Sequence, residues 1–250
     1  IDKRVLIAGA GGLLGVAVSK TLHECGAQLL CVDIDLAHMQ KRFAEVGLEL
    51  DDSVKLQTLN VTDEAAVKHF FAGAQQLDGA VNCTYPRNGQ YGAHFFDVAL
   101  ASFNENLALH LGSSFLFMQQ CAAYFNTRKR PFSLVNISSI YGVVAPKFDV
   151  YQDTPMTMPV EYAAIKSASL HLSRYVASYV NHSDFRVNSV SPGGIFDHQP
   201  EAFLAKYRQY TLGKGMLDKQ DLCGAIRFLL SDEARYINGQ NIVVDDGFTL

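Results

Sequence analysis

The sequence predicts an open, doubly wound α/β fold on a parallel sheet. Three observations carry that expectation. Short β-branched and apolar runs alternate with helical segments over the first 85 residues. The first run breaks at a glycine-rich turn that opens a helix. The length, 250 residues at 48% hydrophobic, suits one core of this kind and one domain over 1–250.

In order, residues 3–8 (KRVLIA) read as a buried strand. Gly9-Ala10-Gly11-Gly12-Leu13-Leu14-Gly15 follows, then a helix to about Glu24. Glycines let a backbone turn tightly and approach a pyrophosphate, whose charge sits at the helix N-terminus. Gln28–Asp33 is a second strand ending in an acid, 18 residues past Gly15. There a carboxylate accepts hydrogen bonds from an adenosine ribose and repels a 2′-phosphate, so the expected cofactor is NAD. The alternative for Asp33 is a helix cap, a place Asp35 suits better. Residues 54–59 are a third strand, Asn60-Val61-Thr62-Asp63 a turn into a helix ending near Ala74, and residues 77–83 (LDGAVNC) a fourth strand. Residues 84–96 form a polar, aromatic loop over the C-terminal sheet edge, where such folds bind ligands.

A long helix is expected over 101–125, a fifth strand over 132–137 ending at Ser138-Ser139, and an irregular stretch over 141–159 holding three prolines. Long loops in compact domains are lids or binding loops, the alternative being a surface insertion. The helix over 160–181 carries Tyr162 and Lys166, four apart and so on one face. Beside a nicotinamide ring they make a proton-transfer pair, with the Lys166 ammonium favouring the Tyr162 phenolate; the alternative is an exposed helix pair. A sixth strand over 185–190 runs into Ser191-Pro192-Gly193-Gly194. Helices near 200–210 and 218–230 and a last strand over 241–244 complete the chain, with a further substrate loop over 194–212.

Net charge is −4, and the one basic cluster, Arg128-Lys129-Arg130, lies in an expected loop, so no nucleic-acid partner is expected. No apolar run is long enough to span a bilayer, and none of the eight histidines sits at zinc-site spacing, so neither membrane nor metal is expected. Five dispersed cysteines without CxxC spacing suggest reduced thiols in the cytoplasm. Residues 1–30 do not read as a signal peptide, and a start at Ile1 rather than Met suggests a short preceding piece.

The motif order resembles the short-chain dehydrogenase/reductase family in its short, single-domain form, across essentially the whole chain. It rests on the glycine turn 9–15, Asp33, Asn136-Ile137-Ser138-Ser139, the Tyr162–Lys166 pair, Pro192-Gly193, and the tail Ile237-Asn238-Gly239-Gln240 with Val244-Asp245. The resemblance implies a Rossmann-like sheet of about seven strands and an NAD-dependent enzyme interconverting a secondary alcohol and a ketone. In that role Tyr162 is general acid or base, Lys166 holds the nicotinamide ribose, and Ser139 binds the reacting oxygen; strand-end backbone satisfaction is the alternative for both serines. The cofactor residues implied are Gly9, Gly12, Leu13, Leu14, Gly15, Asp33, Ile34, Asn60, Val61, Asn82, Tyr162, Lys166, Pro192, Gly193 and Ile195. A homotetramer is implied through the helices 101–125 and 160–181, whose Leu109, Phe115, Phe117, Cys121, Ala168, Leu172, Val176 and Val180 make them apolar on more than one face.

Four departures stand out. The turn spaces its glycines Gly9, Gly12, Gly15, as in the longer sugar-nucleotide branch. The usual Asn-Asn-Ala-Gly is Asn82-Cys83-Thr84-Tyr85. The usual relay asparagine aligns with His110, with Asn106 one turn earlier, so His110 either replaces it or is an ordinary helix-face histidine. The interval from Ser139 to Tyr162 is longer than usual. The stretch 156–166, Ser191-Pro192-Gly193-Gly194-Ile195 and Gln199-Pro200 further resemble a bacterial subgroup associated with flagellin and surface-glycan modification, implying a sugar or sugar-phosphate substrate. The substrate residues expected are Arg87, Ser139, Tyr151, Met156 and Gly194, with Met158, Lys147 and His198 as further candidates. A solvated surface charge is the alternative for Arg87. Two other functions stay open: a sugar epimerase or dehydratase that retains NAD, and a non-catalytic NAD-binding sensor.

Overall fold

The structure is a computed structural model and describes residues 2–250. Seven strands form one parallel sheet in the order β3-β2-β1-β4-β5-β6-β7: β1 Arg4–Ala8, β2 Gln28–Asp33, β3 Val54–Thr58, β4 Gly79–Asn82, β5 Phe132–Ile137, β6 Phe185–Pro192 and β7 Asn241–Val244. Every pairing is parallel, with Leu6 opposite Leu30 on one side and Ala80 on the other. Parallel strands need crossovers, and the helices supply them on both faces.

One face is covered by α1 (Leu13–Glu24), α2 (Leu36–Glu45) and α8 (Cys223–Leu230), whose Val16, Phe43 and Ile226 pack on Val5 and Ile7. The other is covered by α3 (Glu64–Gly73), α5 (Ser113–Arg128) and α6 (Val160–Val180), whose Phe71, Phe117 and Val176 pack on Leu6 and Leu134. Alternate β1 residues thus feed opposite cores, and the central strands are apolar on both sides. Chain order reverses between β1 and β4, which opens a crevice at their carboxyl ends.

A third, smaller core lies at that edge. It joins Tyr141, Val150 and Tyr151 to Phe203 and Tyr207 of α7 (Glu201–Arg208) and to Phe248. The stretch 141–159 is therefore no surface insertion, since Val150 and Tyr151 are buried in this core. Asp35 caps α2 by accepting from the His38 N–H, which leaves Asp33 free of that role.

The helix expected over 101–125 is not continuous. It consists of α4 (Leu100–Asn106), a π-helical segment Leu107–Gly112, and α5. A widened turn of this kind changes the direction in which the next helix faces, and such turns cluster at functional sites. Here it buries His110 against the base of the crevice. Nor are all the residues expected to face a second subunit available. Phe117, Cys121 and Val176 lie in this chain's own core, whereas Phe115, Tyr175 and Tyr179 are exposed.

Candidate active site

The carboxyl ends of the strands open into a cleft of about 810 Å³. At one end lies the glycine turn. Gly9 has φ +75°, and a Cβ there would come within 2.9 Å of the Cys83 carbonyl carbon. A Cβ on Gly15 would sit 2.1 Å from the Gly9 carbonyl oxygen, so Gly15 lets α1 start directly against the turn and does not itself line the cleft. Gly12, the N-cap of α1, brings no side-chain acceptor to the helix end. The first-turn N–H groups are therefore available to a phosphate. Asp33 is fixed by two backbone donors, Gly11 N–H to Oδ2 and Ile34 N–H to Oδ1, both at 2.8 Å. These features fit a dinucleotide: close backbone approach, a helix N-terminus, and a carboxylate on the cleft wall. Leu13, Leu14, Ile34, Asn60, Val61, Pro192, Gly193 and Ile195 line the same cleft. Asn82 does not; its Oδ1 accepts from Thr84 N–H and Oγ1, shaping the chain as it leaves β4.

Ser139, Tyr162 and Lys166 meet farther along the cleft. The Ser139 hydroxyl is hydrogen-bonded to the Tyr162 hydroxyl and accepts from Tyr141 N–H at 3.2 Å. The two serines after β5 divide the labour, for Ser138 instead donates to the Lys166 carbonyl at 2.9 Å and so fastens the strand end to α6. Gly142 completes that joint: a Cβ there would lie 2.7 Å from the Lys166 carbonyl carbon. Nothing in the local sequence singles out Gly142, because the crowding comes from a helix 24 residues away. Lys166 is buried and donates to the Ile137 carbonyl at 2.8 Å. Burial lowers its pKa to about 8, partly opposed by Cys83, and the ammonium persists at neutral pH.

The expected depression of the Tyr162 pKa by Lys166 is not found. Burial raises the Tyr162 pKa, and the force opposing it is the hydrogen bond to Ser139. The lysine's charge is turned toward the Ile137 carbonyl, 5.5 Å from the Tyr162 ring centre.

Behind Lys166 is a void of about 10 Å³ bordered by Asn82, His110, Ser114, Asn136 and Ser169. Two buried polar atoms at its wall, His110 Nδ1 and Asn136 Oδ1, have no protein partner. Burial first, then the charges of Lys166 and Arg87, hold the His110 pKa down to about 2, so the imidazole is neutral. Asn106 has a different task. Its Oδ1 accepts from Asn88 N–H at 2.9 Å and its Nδ2 donates to Asn88 Oδ1 at 3.1 Å, which ties the 84–96 loop to α4.

Tyr141, Tyr151, Met156, Met158, Gly194, Phe203, Tyr207 and Met216 enclose the remaining part of the cleft. The segments 141–159 and 194–212 are tied to each other. Lys206 donates to the Gln152 carbonyl at 2.7 Å and to Asp153 at 2.8 Å, and Tyr210 bonds Asp149. Arg87 lines the cleft, with its guanidinium over the Tyr85 ring. Lys147 does not: its ammonium lies over the Tyr210 ring at 4.1 Å. His198 also lies outside the lining. Cys83, Thr84 and Tyr85, expected only as a departure after β4, face the cleft, as do Gly11 of the glycine turn and Tyr141 and Tyr207, which no local signal marks as site residues.

Among the described residues no cluster of three His, Cys, Asp or Glu is arranged to hold a metal, and no helix is long and apolar enough to cross a membrane. A family model described as enoyl-(acyl carrier protein) reductase matches residues 9–249. The post-translational flagellin modification protein A of Campylobacter coli is 35% identical, over 100% of this chain and 99% of that protein. The 7alpha-hydroxysteroid dehydrogenase of Bacteroides fragilis is 25% identical, over 100% and 95%. A short-chain dehydrogenase from Leptospira borgpetersenii, solved with bound NAD+, superimposes with a TM-score of 0.86 at 27% identity, covering 100% of this chain and 93% of that one. The chain belongs to the short-chain dehydrogenase/reductase family and is an oxidoreductase of the kind that works with a nicotinamide cofactor.

Proposed function

We propose that this enzyme uses NAD to interconvert a secondary alcohol and a ketone on a sugar or sugar phosphate. The observation that carries the reading is the joining, in one cleft, of a backbone-anchored Asp33 with the Ser139–Tyr162–Lys166 group. Bound NAD supplies the hydride acceptor. Ser139 orients the alcohol oxygen, and Tyr162 takes its proton. Lys166 contributes its ammonium beside the nicotinamide ribose. A water in the void between His110 Nδ1 and Asn136 Oδ1 passes the proton on behind Lys166. Neutral His110 suits that place, because a cation there would compete with Lys166.

A screen of hydroxy sugars, sugar phosphates and simple alcohols for NAD reduction tests the reading. Reduced cofactor accumulating in step with product supports a dehydrogenase; turnover without it would point to an epimerase or dehydratase that retains NAD.

Asp33 is the basis for choosing NAD. Asp33→Asn keeps an acceptor for the Gly11 N–H and removes the charge that repels a 2′-phosphate. It is expected to narrow the gap between NAD and NADP affinity, and Asp33→Ala, which also releases the turn, to weaken NAD by about ten- to hundredfold. Fluorescence titration with both cofactors checks this; a wild type preferring NADP would contradict it.

Arg87 is the cleft cation suited to a phosphate or carboxylate. Arg87→Ala is expected to raise KM for an anionic substrate about tenfold, the size of one lost charge-assisted contact, and to leave a neutral analogue almost unchanged. Equal losses on both would remove Arg87 from the site.

The resemblance of the stretch 156–166 to a subgroup associated with flagellin and surface-glycan modification supports a carbohydrate substrate, in keeping with a flagellin modification protein among the relatives, and the cysteine usage supports a cytoplasmic setting. The exposed Phe115, Tyr175 and Tyr179 support a homo-oligomer formed through α5 and α6, as a tetramer. Sedimentation at micromolar concentration should show it, and a monomer would refute it.

A further inference from the structure

Tyr85 stands where the chain leaves β4 and touches the separate parts of the site at once. Its ring meets Tyr162 edge to face at 5.6 Å, His110 at 5.0 Å and Tyr91 at 5.7 Å between centroids. Its hydroxyl donates to the Tyr91 hydroxyl. Two cations approach the same ring, Arg87 with Cζ 4.8 Å and Lys166 with Nζ 5.7 Å from the centroid. An aromatic face is negative and its edge positive, so cations and perpendicular rings are the partners it accepts.

Arg87 has little else to hold it. Its guanidinium donates to the carbonyl of Tyr85 itself, at 3.3 Å. The next residue, by contrast, is fastened. Asn88 is bonded to Asn106, and its Nδ2 donates to Ser102 at 3.1 Å and Glu105 at 2.7 Å. The base of the loop is thus fastened, and the guanidinium rests on the Tyr85 ring and the Tyr85 carbonyl. A long cationic side chain held in place loses less entropy on meeting an anion than one free in solvent.

We propose that Tyr85 is a specificity-determining residue: its ring walls the His110 side of the substrate cleft and carries Arg87 as a stacked cation in the same cleft as Tyr162, selecting alcohols that bear an anionic oxygen group within reach of that cation. This rests on the reading of Arg87 as the anion anchor. Both distances are measured to one centroid, so the guanidinium and the catalytic phenol ring are no farther apart than those two distances laid end to end. The Tyr85 ring also removes space that a glycine would leave open, so bulky groups are refused on that side.

The test compares binding of sorbitol 6-phosphate and sorbitol to the NAD-loaded protein by calorimetry, which does not require turnover. Wild type is expected to favour the phosphate about tenfold or more, the worth of one charge-assisted contact. Tyr85→Leu, similar in bulk but without a π face, should cut that preference by about three- to fivefold. Tyr85→Phe should keep it. In an Arg87→Ala background, Tyr85→Leu should change the preference no further, since the two side chains act as one unit. Tyr85→Ala is the second variant should leucine disturb the fold, with NAD affinity and circular dichroism reporting an intact cofactor half. A wild type that binds both polyols alike overturns the Arg87 reading and this proposal together. A wild type that prefers the phosphate, with Tyr85→Leu or Tyr85→Ala keeping that preference or Tyr85→Phe losing it, overturns the Tyr85 proposal alone.

Discussion

Tyr162→Phe is expected to lower turnover by about 10²–10⁴-fold, the usual contribution of a positioned acid or base, while NAD affinity stays close to wild type. The substitution removes one oxygen. The ring remains to pack edge to face on Tyr85, and the backbone joint through Ser138 and Gly142 is untouched. What is lost is the hydroxyl paired with Ser139. A pH dependence accompanies it. Burial raises the Tyr162 pKa, so at neutral pH the phenol is mostly protonated. Wild-type alcohol oxidation, which needs the phenolate, should climb as pH rises into the alkaline range, and ketone reduction, which needs the phenol, should fall. The nicotinamide ring of bound NAD, the one positively charged part of the cofactor, would draw the oxidation limb toward lower pH than the protein alone does. Initial rates in both directions over neutral and alkaline pH, with cofactor titrations of the variant, check this. Wild-type-like turnover in Tyr162→Phe would end the mechanism.

Gly15→Ala is expected to weaken NAD binding by about a hundredfold, comparable to losing one strong charge-assisted contact in the phosphate cradle. The added carbon would lie 2.1 Å from the Gly9 carbonyl oxygen, and the obstruction is backbone, so no side chain can rotate away. α1 must retreat from the turn, taking its N–H groups with it. Gly12→Ala is the control. Its Cβ would stand 3.3 Å from the same oxygen, a contact that relaxes with a small shift. Its loss should be several-fold smaller. Equal NAD affinities in the two variants would show that the close approach of Gly15 to Gly9 does not shape the cofactor site. The melting temperature should fall in the same order, because overpacking strains the first strand–helix joint.

Much of the scaffold was legible because its signals are local. β2, β5 and β7 begin and end where their apolar runs do, and the alternation of strand and helix implied parallel crossovers, as found. β6 runs two residues past its expected end, since pairing with β7 carries the ladder through Ser191 and Pro192. The break in the helix expected over 101–125 left no composition signal. The stretch 107–111 reads as ordinary helix sequence, yet the segment is π-helical and buries His110. Likewise the apolar stripes of α5 and α6 could not be divided in advance between this chain's core and an outer face.

By itself, the sequence determined the sheet, the place of the glycine turn, and which side chains are able to carry a proton. Those come from period, glycine spacing and residue chemistry, and each is a property of a few neighbouring residues. Tertiary structure decided the rest. It separated Ser139, bonded to Tyr162, from Ser138, bonded to the α6 backbone. It raised the Tyr162 pKa that the nearby lysine was expected to lower, because burial dominates, opposed only by Ser139, while the lysine's ammonium is directed at the Ile137 carbonyl. It turned Lys147 onto Tyr210 and away from the cleft, and set Tyr85 among Tyr162, His110, Arg87 and Lys166. Burial, and the partner each group meets, arise only when distant segments pack together; no window along the chain contains them.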